Sequence, residues 1–499
     1  MPRPVRQESS ITFRPRSRAD RARVHSLVDV RLDSAQRAAI DLPEGRALLV
    51  LGEAGHGKTT VLLHRVARLW QQTGRSLHTA VLVPTEGLLR LFQPILRRLG
   101  VDVDVCTFDR FIAKQGRRTF RRLPHESAET PPSVMRLKRH PALRLALTEM
   151  ASREAGVIDD DFDAPVRRSK RVRPRVTRGD LQHLFGDRVL MARVAEAASL
   201  PAHVVADVLE RSRVQFVETT ERELSHVTDR ERLVAVDHRP LDEGTATAHA
   251  TTIDVEDFPV LFELDRMRAH LRGEGPVAPR AFDLIAVDEA QELAPLELAL
   301  IGRSLAPNGT LIVSGDADQH TDEATSFLGW ENVMRELGVH DYVTTTLEIG
   351  YRCPPAVVKL ARGVRAAAHP PARVHVFPDE RTLTGELGVA ADALFERDPR
   401  TSVLVICRRP MTARRIVDGL REHVPARVVF DGRFMPRGIQ VSLPSEVKGL
   451  EVDYVVVADA SASEWPDTEE ARRAMYVAIT RARQQAIVAC IGAPTRIFG

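Results

Sequence analysis

The stretch ALLVLGEAGHGKTTVLLHRVARLW, residues 47–70, changes hydrophobic period in its middle. Residues 47–51 are continuously apolar, as expected of a strand buried on both faces. A glycine-rich segment follows, and then VLLHRVARLW, whose apolar positions recur at helical spacing. Strand, loop and helix in that order fit G-x-x-x-x-G-K-[ST] in the context its chemistry requires. Gly52 and Gly57 let the loop curl around a phosphate, and Gly55 leaves room for close backbone approach. Successive backbone N–H groups then point inward, reinforced by the positive end of the helix. Lys58 would reach the β- and γ-phosphates of a nucleotide such as ATP, and Thr59 would offer its hydroxyl to Mg²⁺. The bland reading, a surface turn with a lysine, does not call for both flanks.

Such a loop needs acid from another strand end. FDLIAVDEA, residues 282–290, is largely apolar and then reaches Asp288 and Glu289. An Asp-Glu pair alone often marks only a helix N-terminus. Downstream of a phosphate loop, Asp288 is placed to hold Mg²⁺ through water and Glu289 to orient and deprotonate the attacking water. TLIVSGDADQ, residues 310–319, ends on Gln319. In a parallel sheet the strand C-termini converge on the ligand crevice, so Gln319 would approach the γ-phosphate beside Glu289.

Further apolar runs, TAVLVP (79–84) and VDVDVCTF (101–108), complete a first α/β unit of parallel strands covered by helices. TSVLVICRR, ARVVF, GIQVSL, DYVVVADA and QAIVACIG, between residues 401 and 492, form a second. The expected division is a basic flexible tail (1–30), a first lobe (31–115 and 280–345), a mostly helical insertion (116–279) and a second lobe (346–499). The two units meet near Gly338–Leu347. The insertion carries an acidic cluster, Asp159–Asp163, and a basic run, RRSKRVRPRVTR (167–178), read as an exposed charged segment or a phosphate-contacting surface.

At 499 residues the chain exceeds one small domain. A formal charge of +3 permits a polyanionic partner without demanding one. Cys106, Cys353, Cys407 and Cys490 lack CxxC spacing, which argues against a disulfide framework or zinc site and fits the cytoplasm. No apolar run approaches the ~20 residues of a membrane span.

This constellation resembles superfamily 1 helicases of the UvrD/Rep type, over nearly the whole chain outside the tail and insertion. The resemblance implies two RecA-like P-loop NTPase lobes with a 1B-like insertion, and ATP and Mg²⁺ bound between them. LDSAQRAAI looks like the Q motif, with Gln36 reading adenine. LEIGYRCPP looks like motif IV, implying Tyr351 against the adenine face and Arg352 as one arginine finger. EVKGLEVDYVVV is similar to motif V, with Gly449 and Glu451 near phosphate and ribose. RRAMYVAITRAR is similar to motif VI and makes Arg481 the second finger. Thr60 stands in the nucleotide cradle where many relatives have arginine.

The departures lie on the strand-gripping side. Thr321, Asp322, Glu323 and Ala324 stand where relatives carry stacking aromatics. VPTEG (83–87), Leu443 and Ser445 replace other strand-facing residues. Base stacking is worth ~1–3 kcal/mol per base, so the grip on a single strand would be weak, and Asp322 and Glu323 would repel phosphate. GDADQHTDEATSFLGWENVMRELG looks most like the helicase IV/HelD-type branch, without its N-terminal coiled coil and without the 2B domain of UvrD-type enzymes. The leading expectation is an ATP hydrolase that translocates on or unwinds nucleic acid, single-stranded DNA above all. The alternative is a HelD-like ATPase that remodels a protein or nucleoprotein partner, such as RNA polymerase or another subunit, without unwinding.

Overall fold

The computed structural model describes residues 6–8, 10–14, 32–73, 77–120, 123–155, 176–216, 251–322, 324–350, 353–368, 370, 373–430, 432–435 and 437–498. Tyr351, Arg352, Glu323, the cluster 159–163, residues 167–175 of the basic run and most of 1–30 lie outside them. Strands run in chain order as β1 (Arg6–Glu8), β2 (Ala47–Gly52), β3 (Thr79–Val83), β4 (Asp104–Thr107), β5 (His125–Glu126), β6 (Thr252–Ile253), β7 (Phe282–Val287) and β8 (Leu305–Gly315). They continue as β9 (Tyr342–Leu347), β10 (Arg373–Phe377), β11 (Ser402–Ile406), β12 (Ala426–Val428), β13 (Gly438–Ser442), β14 (Val452–Val457) and β15 (Ala482–Ile491).

These build a mixed α/β molecule around two parallel sheets. The first has the order β4-β3-β7-β8-β2-β9 and the second β1-β10-β15-β14-β11-β13-β12. Every pairing within each is parallel. Parallel neighbours need crossovers, and helices such as Lys58–Gln72 and Glu86–Arg98 supply them while covering the faces. β3, β11 and β14 are buried along their whole length, and β2 over Ala47–Val50, and all four are mostly apolar because both faces are covered. Register places Leu51 beside Gly315 and Val287 beside Val313. The segments after β2, β7 and β8, which carry Lys58, Asp288 and Gln319, therefore emerge side by side at one edge.

Three boundaries differ from the sequence expectation. Tyr342–Leu347 is not a junction but the edge strand β9, paired with β2 from Ala47↔Tyr342 to Gly52↔Leu347. The helix Phe108–Thr119 runs through the expected start of the insertion, and its Ile112 joins the same core as Phe258 and Phe262 of Asp257–Leu271. That core also takes Leu296 and Leu300 from the helix Pro295–Arg303. The described part of the insertion is thus packed onto the first sheet's own helices rather than held off as an arm.

The third difference is at the N-terminus, where residues 6–8 and 10–14 are not a free tail. β1 adds a parallel strand to the edge of β10, in register from Arg6↔Arg373 to Glu8↔His375. Ile11 and Phe13 are buried in the second sheet's core, with the Phe13 ring edge-on to Tyr454 at 5.2 Å. Two apolar side chains spaced to reach one face were enough to dock a segment whose overall composition is basic and proline-rich.

Candidate functional site at the seam between the sheets

The glycine-rich loop between Gly52 and Lys58 is shaped by residues that cannot be exchanged freely. Gly57 has φ +90°, and a Cβ there would lie 2.4 Å from Gln36 Nε2. Gln36 is buried, donates to the His56 carbonyl at 3.4 Å and accepts from the Asp33 amide at 3.1 Å, closing a capping box on the helix Ser34–Ile40. It braces the loop from behind. His56 Nδ1 meets the Leu347 carbonyl at 2.6 Å, tying the loop to the end of β9.

Lys58 heads the helix after the loop and is turned back onto it. Its Nζ donates to the carbonyls of Gly52 (2.6 Å) and Glu53 (3.1 Å) and lies 3.7 Å from Asp316. Thr59 donates to Asp288 Oδ2 at 3.1 Å, and Ser314 of β8 donates to Asp288 Oδ1 at 2.6 Å. Burial, with the Glu289 carboxylate beside it, raises the Asp288 carboxyl to about 6. Glu289 sits at φ 56°, a left-handed conformation for a residue with a side chain, and Gln291 donates to its Oε2 at 2.7 Å. Gln291 also accepts from the Asp316 amide at 3.1 Å, so one side chain joins the loops after β7 and β8.

Gln319 reaches into the same cluster: its amide donates to Asp316 Oδ2 at 2.7 Å. From the second sheet, Arg481 Nη2 donates to Gln319 Oε1 at 2.6 Å, and Arg481 is 1% exposed. Arg481 is held by Val477 and Thr480 at the end of the helix Glu469–Ile479. Tyr476 of that helix accepts a backbone hydrogen bond from Ala54, and burial, with Asp316 next in effect, pushes its hydroxyl well above the ordinary range. Arg362 pairs with Glu53 at 2.9 Å, and Arg365 pairs with Asp318. A cavity of about 370 Å³ opens here, bounded by Gly52, Glu53, His56, Asp316, Trp330 and Arg362.

Of the residues named from sequence, Gln36, Gly52, Gly55, Gly57, Lys58, Thr59, Thr60, Asp288, Glu289, Gln319 and Arg481 fall on the loop or the clusters facing it. Gly449 and Glu451 make other contacts. Gly449 (φ +69°) lies against Leu88, where a Cβ would come within 2.6 Å of the leucine, and Glu451 is paired with Arg483 at 2.6 Å. Tyr351 and Arg352 fall outside the described residues. Ser314, Gln291 and Tyr476 were missed; Tyr476 stands five residues before Arg481 in the quoted motif VI stretch, and no sequence periodicity marks it.

Asp322 also departs from expectation. It is not a bare repulsive charge: it pairs with Arg139, and that guanidinium lowers its pKa against the effect of burial. Phe327 and Trp330 stack edge-on at 4.9 Å, and a Cβ at Gly315 would meet the Trp330 ring at 2.2 Å, so these aromatics fold back on β8. Among the described residues no set of three His, Cys, Asp or Glu side chains is arranged to hold a metal, and no helix is long and apolar enough to cross a membrane.

Residues 445–489 match the family model of the UvrD-like helicase C-terminal domain, a span that includes Lys448, Tyr476 and Arg481. No curated protein matches the chain. Among solved structures, the chain is similar to the C-terminal domain of a possible DNA helicase from Lactobacillus plantarun WCFS1. That likeness is at 18% identity and TM-score 0.26, covering 30% of this chain and 92% of that one. The seam's second-sheet side, from Lys448 to Arg481, is thus the part similar in sequence to a helicase domain.

Proposed function

We propose that the chain is a Mg²⁺-dependent ATPase of the superfamily 1 helicase type, with two RecA-like lobes that close on ATP and open after hydrolysis. The reading rests on the 2.6 Å bond from Arg481 to Gln319, which sets a second-sheet guanidinium beside the acids that follow β7 and β8. On ATP binding, Lys58 exchanges its two loop carbonyls for phosphate oxygens. Asp288 with the Thr59 and Ser314 hydroxyls is a hard oxygen set that suits Mg²⁺, and its buried charge beside Glu289 is one a divalent cation would relieve. When bound, the ion neutralises charge developing on the phosphoryl oxygens. Glu289, oriented by Gln291, takes the proton of the attacking water. Arg481 then stabilises the transferring group, and Gln319 registers whether it is still there.

The motion has two candidate outputs: translocation on single-stranded DNA, or remodelling of a protein or nucleoprotein partner. One contact favours the second. Gly87 and Leu88 at the start of the helix Glu86–Arg98 pack directly on Gly432, Phe434, Gly449 and Leu450 of the second sheet's loops. That packing fills the face on which the resemblance sets a nucleic-acid strand. ATPase rates with and without oligo-dT, duplex DNA and RNA across a salt series separate the outputs. Translocation requires strong stimulation that fades with salt as phosphate contacts release counterions. Unchanged turnover leaves remodelling. A Lys58→Ala chain that hydrolyses ATP like the native one would overturn the ATPase reading itself.

A further inference from the structure

Arg139, the last residue of the insertion helix Pro132–Arg139, stands where four elements meet. Its Nε and Nη2 hold both oxygens of Glu297 at 2.9 Å, the bidentate geometry a guanidinium makes best. Nη2 also donates to the Glu292 carbonyl at 3.0 Å, and Nη1 pairs with Asp322. Glu292 lies three residues beyond Glu289, and Asp322 three beyond Gln319. The Glu292 carboxylate accepts from the Thr321 amide at 3.2 Å and pairs with Lys448 of the second sheet at 2.7 Å, both partners being nearly buried. One side chain of the insertion is thereby fixed to the loop carrying the water-activating acid and to the loop carrying the γ-phosphate sensor. The same acid loop is fixed to the second sheet. A displacement of the Gln319 loop carries Asp322 with it and must either move Arg139 or break a partly buried ion pair that Arg139 shares with its bidentate hold on Glu297.

We propose that Arg139 is a positioning residue that couples the state of the nucleotide pocket to the helical insertion, making the insertion the element through which hydrolysis does work. This rests on the ATPase reading above. The test is hydrogen exchange of Pro132–Arg139 and the following helix Leu143–Ala155 in the full chain, with and without a non-hydrolysable ATP analogue and Mg²⁺. Native protein, Arg139→Gln and Asp322→Asn are compared, the last keeping Arg139 on Glu297 should Arg139→Gln fold poorly. Analogue affinity and melting temperature are measured on each. The native insertion should change exchange rate on analogue binding by about fivefold or more, the lower end of ordinary coupling between sites. The variants should bind the analogue with native affinity and lose that response, which a merely structural ion pair would not produce. Native-sized responses in a folded Arg139→Gln or Asp322→Asn, or a silent insertion in native protein that binds the analogue, would overturn the coupling alone. Absence of analogue binding to the native chain would overturn the ATPase reading and the coupling with it.

Discussion

Lys58 in this structure spends its hydrogen bonds on the loop that carries it, and Asp316 stands 3.7 Å away. A buried ammonium must keep partners, so under the proposed function phosphate binding is an exchange of acceptors rather than the filling of a vacancy. In the proposed ATPase mechanism the chemistry beyond that exchange falls to Glu289. Glu289→Gln keeps the hydrogen-bonding shape facing Gln291 and removes the base; turnover should fall by about 10²–10⁴ with nucleotide affinity retained. Near-native turnover by steady-state assay would show that another group takes the proton. Gly57→Ala should act on binding instead, for a different reason: the added methyl meets Gln36 Nε2 at 2.4 Å on a left-handed backbone. The expected result, by fluorescent-nucleotide titration, is an affinity loss of at least about tenfold, since strain of ~1–3 kcal/mol must be relieved by moving the loop.

At the scale of elements, the N-terminal segment and the insertion each hold a stability prediction. Phe13→Ala removes a buried ring packed on Tyr454 and should cost about 3 kcal/mol of the second sheet's stability in denaturant unfolding. No change would mean that β1 and its anchor are dispensable. In the insertion, burial raises the Glu256 carboxyl to about 7, against the lowering pull of Lys138 and Arg139 and with Asp254 adding to the rise. A carboxyl raised in the folded state holds its proton there more tightly than in the unfolded chain. Its contribution is therefore present below the unfolded value near 4.5 and is lost as pH climbs through about 7. Glu256→Gln retains an acceptor for Thr130 and should flatten that window, a difference on the order of 3 kcal/mol between pH 4.5 and 7. The same elements show what the sequence made legible. β2, β7 and β8 could be read because burial on both faces leaves continuous apolar runs, and the glycine-rich loop after β2 because glycine spacing is a backbone requirement. β1, RQE, could not, since edge position tolerates charge, and β10, RVHVF, could not because Arg373 and His375 interrupt its apolar residues although β1 and β15 flank it. Arg139, Gln291 and Tyr476 matter through contacts with residues far along the chain or across the seam, and periodicity holds no record of such contacts.

For the whole molecule, the decisive feature is that one seam carries three kinds of contact. Close backbone packing joins Gly87 to Gly432, a buried ion pair joins Glu292 to Lys448, and Arg481 reaches Gln319 beside the glycine-rich loop after β2. Gly432→Val would drive a side chain toward the Gly87 amide, 2.5 Å from the Cβ position. Wedging the sheets apart should lower turnover more than it lowers nucleotide affinity, measured on the same preparation, because the loop belongs wholly to the first sheet. The most direct measurement is single-turnover ATP hydrolysis by Arg481→Ala, with nucleotide affinity determined in parallel. A site completed across the seam predicts a rate lower by about 10³–10⁵ with affinity within a few-fold of native. Hydrolysis at the native rate would contradict it and confine the chemistry to the first sheet.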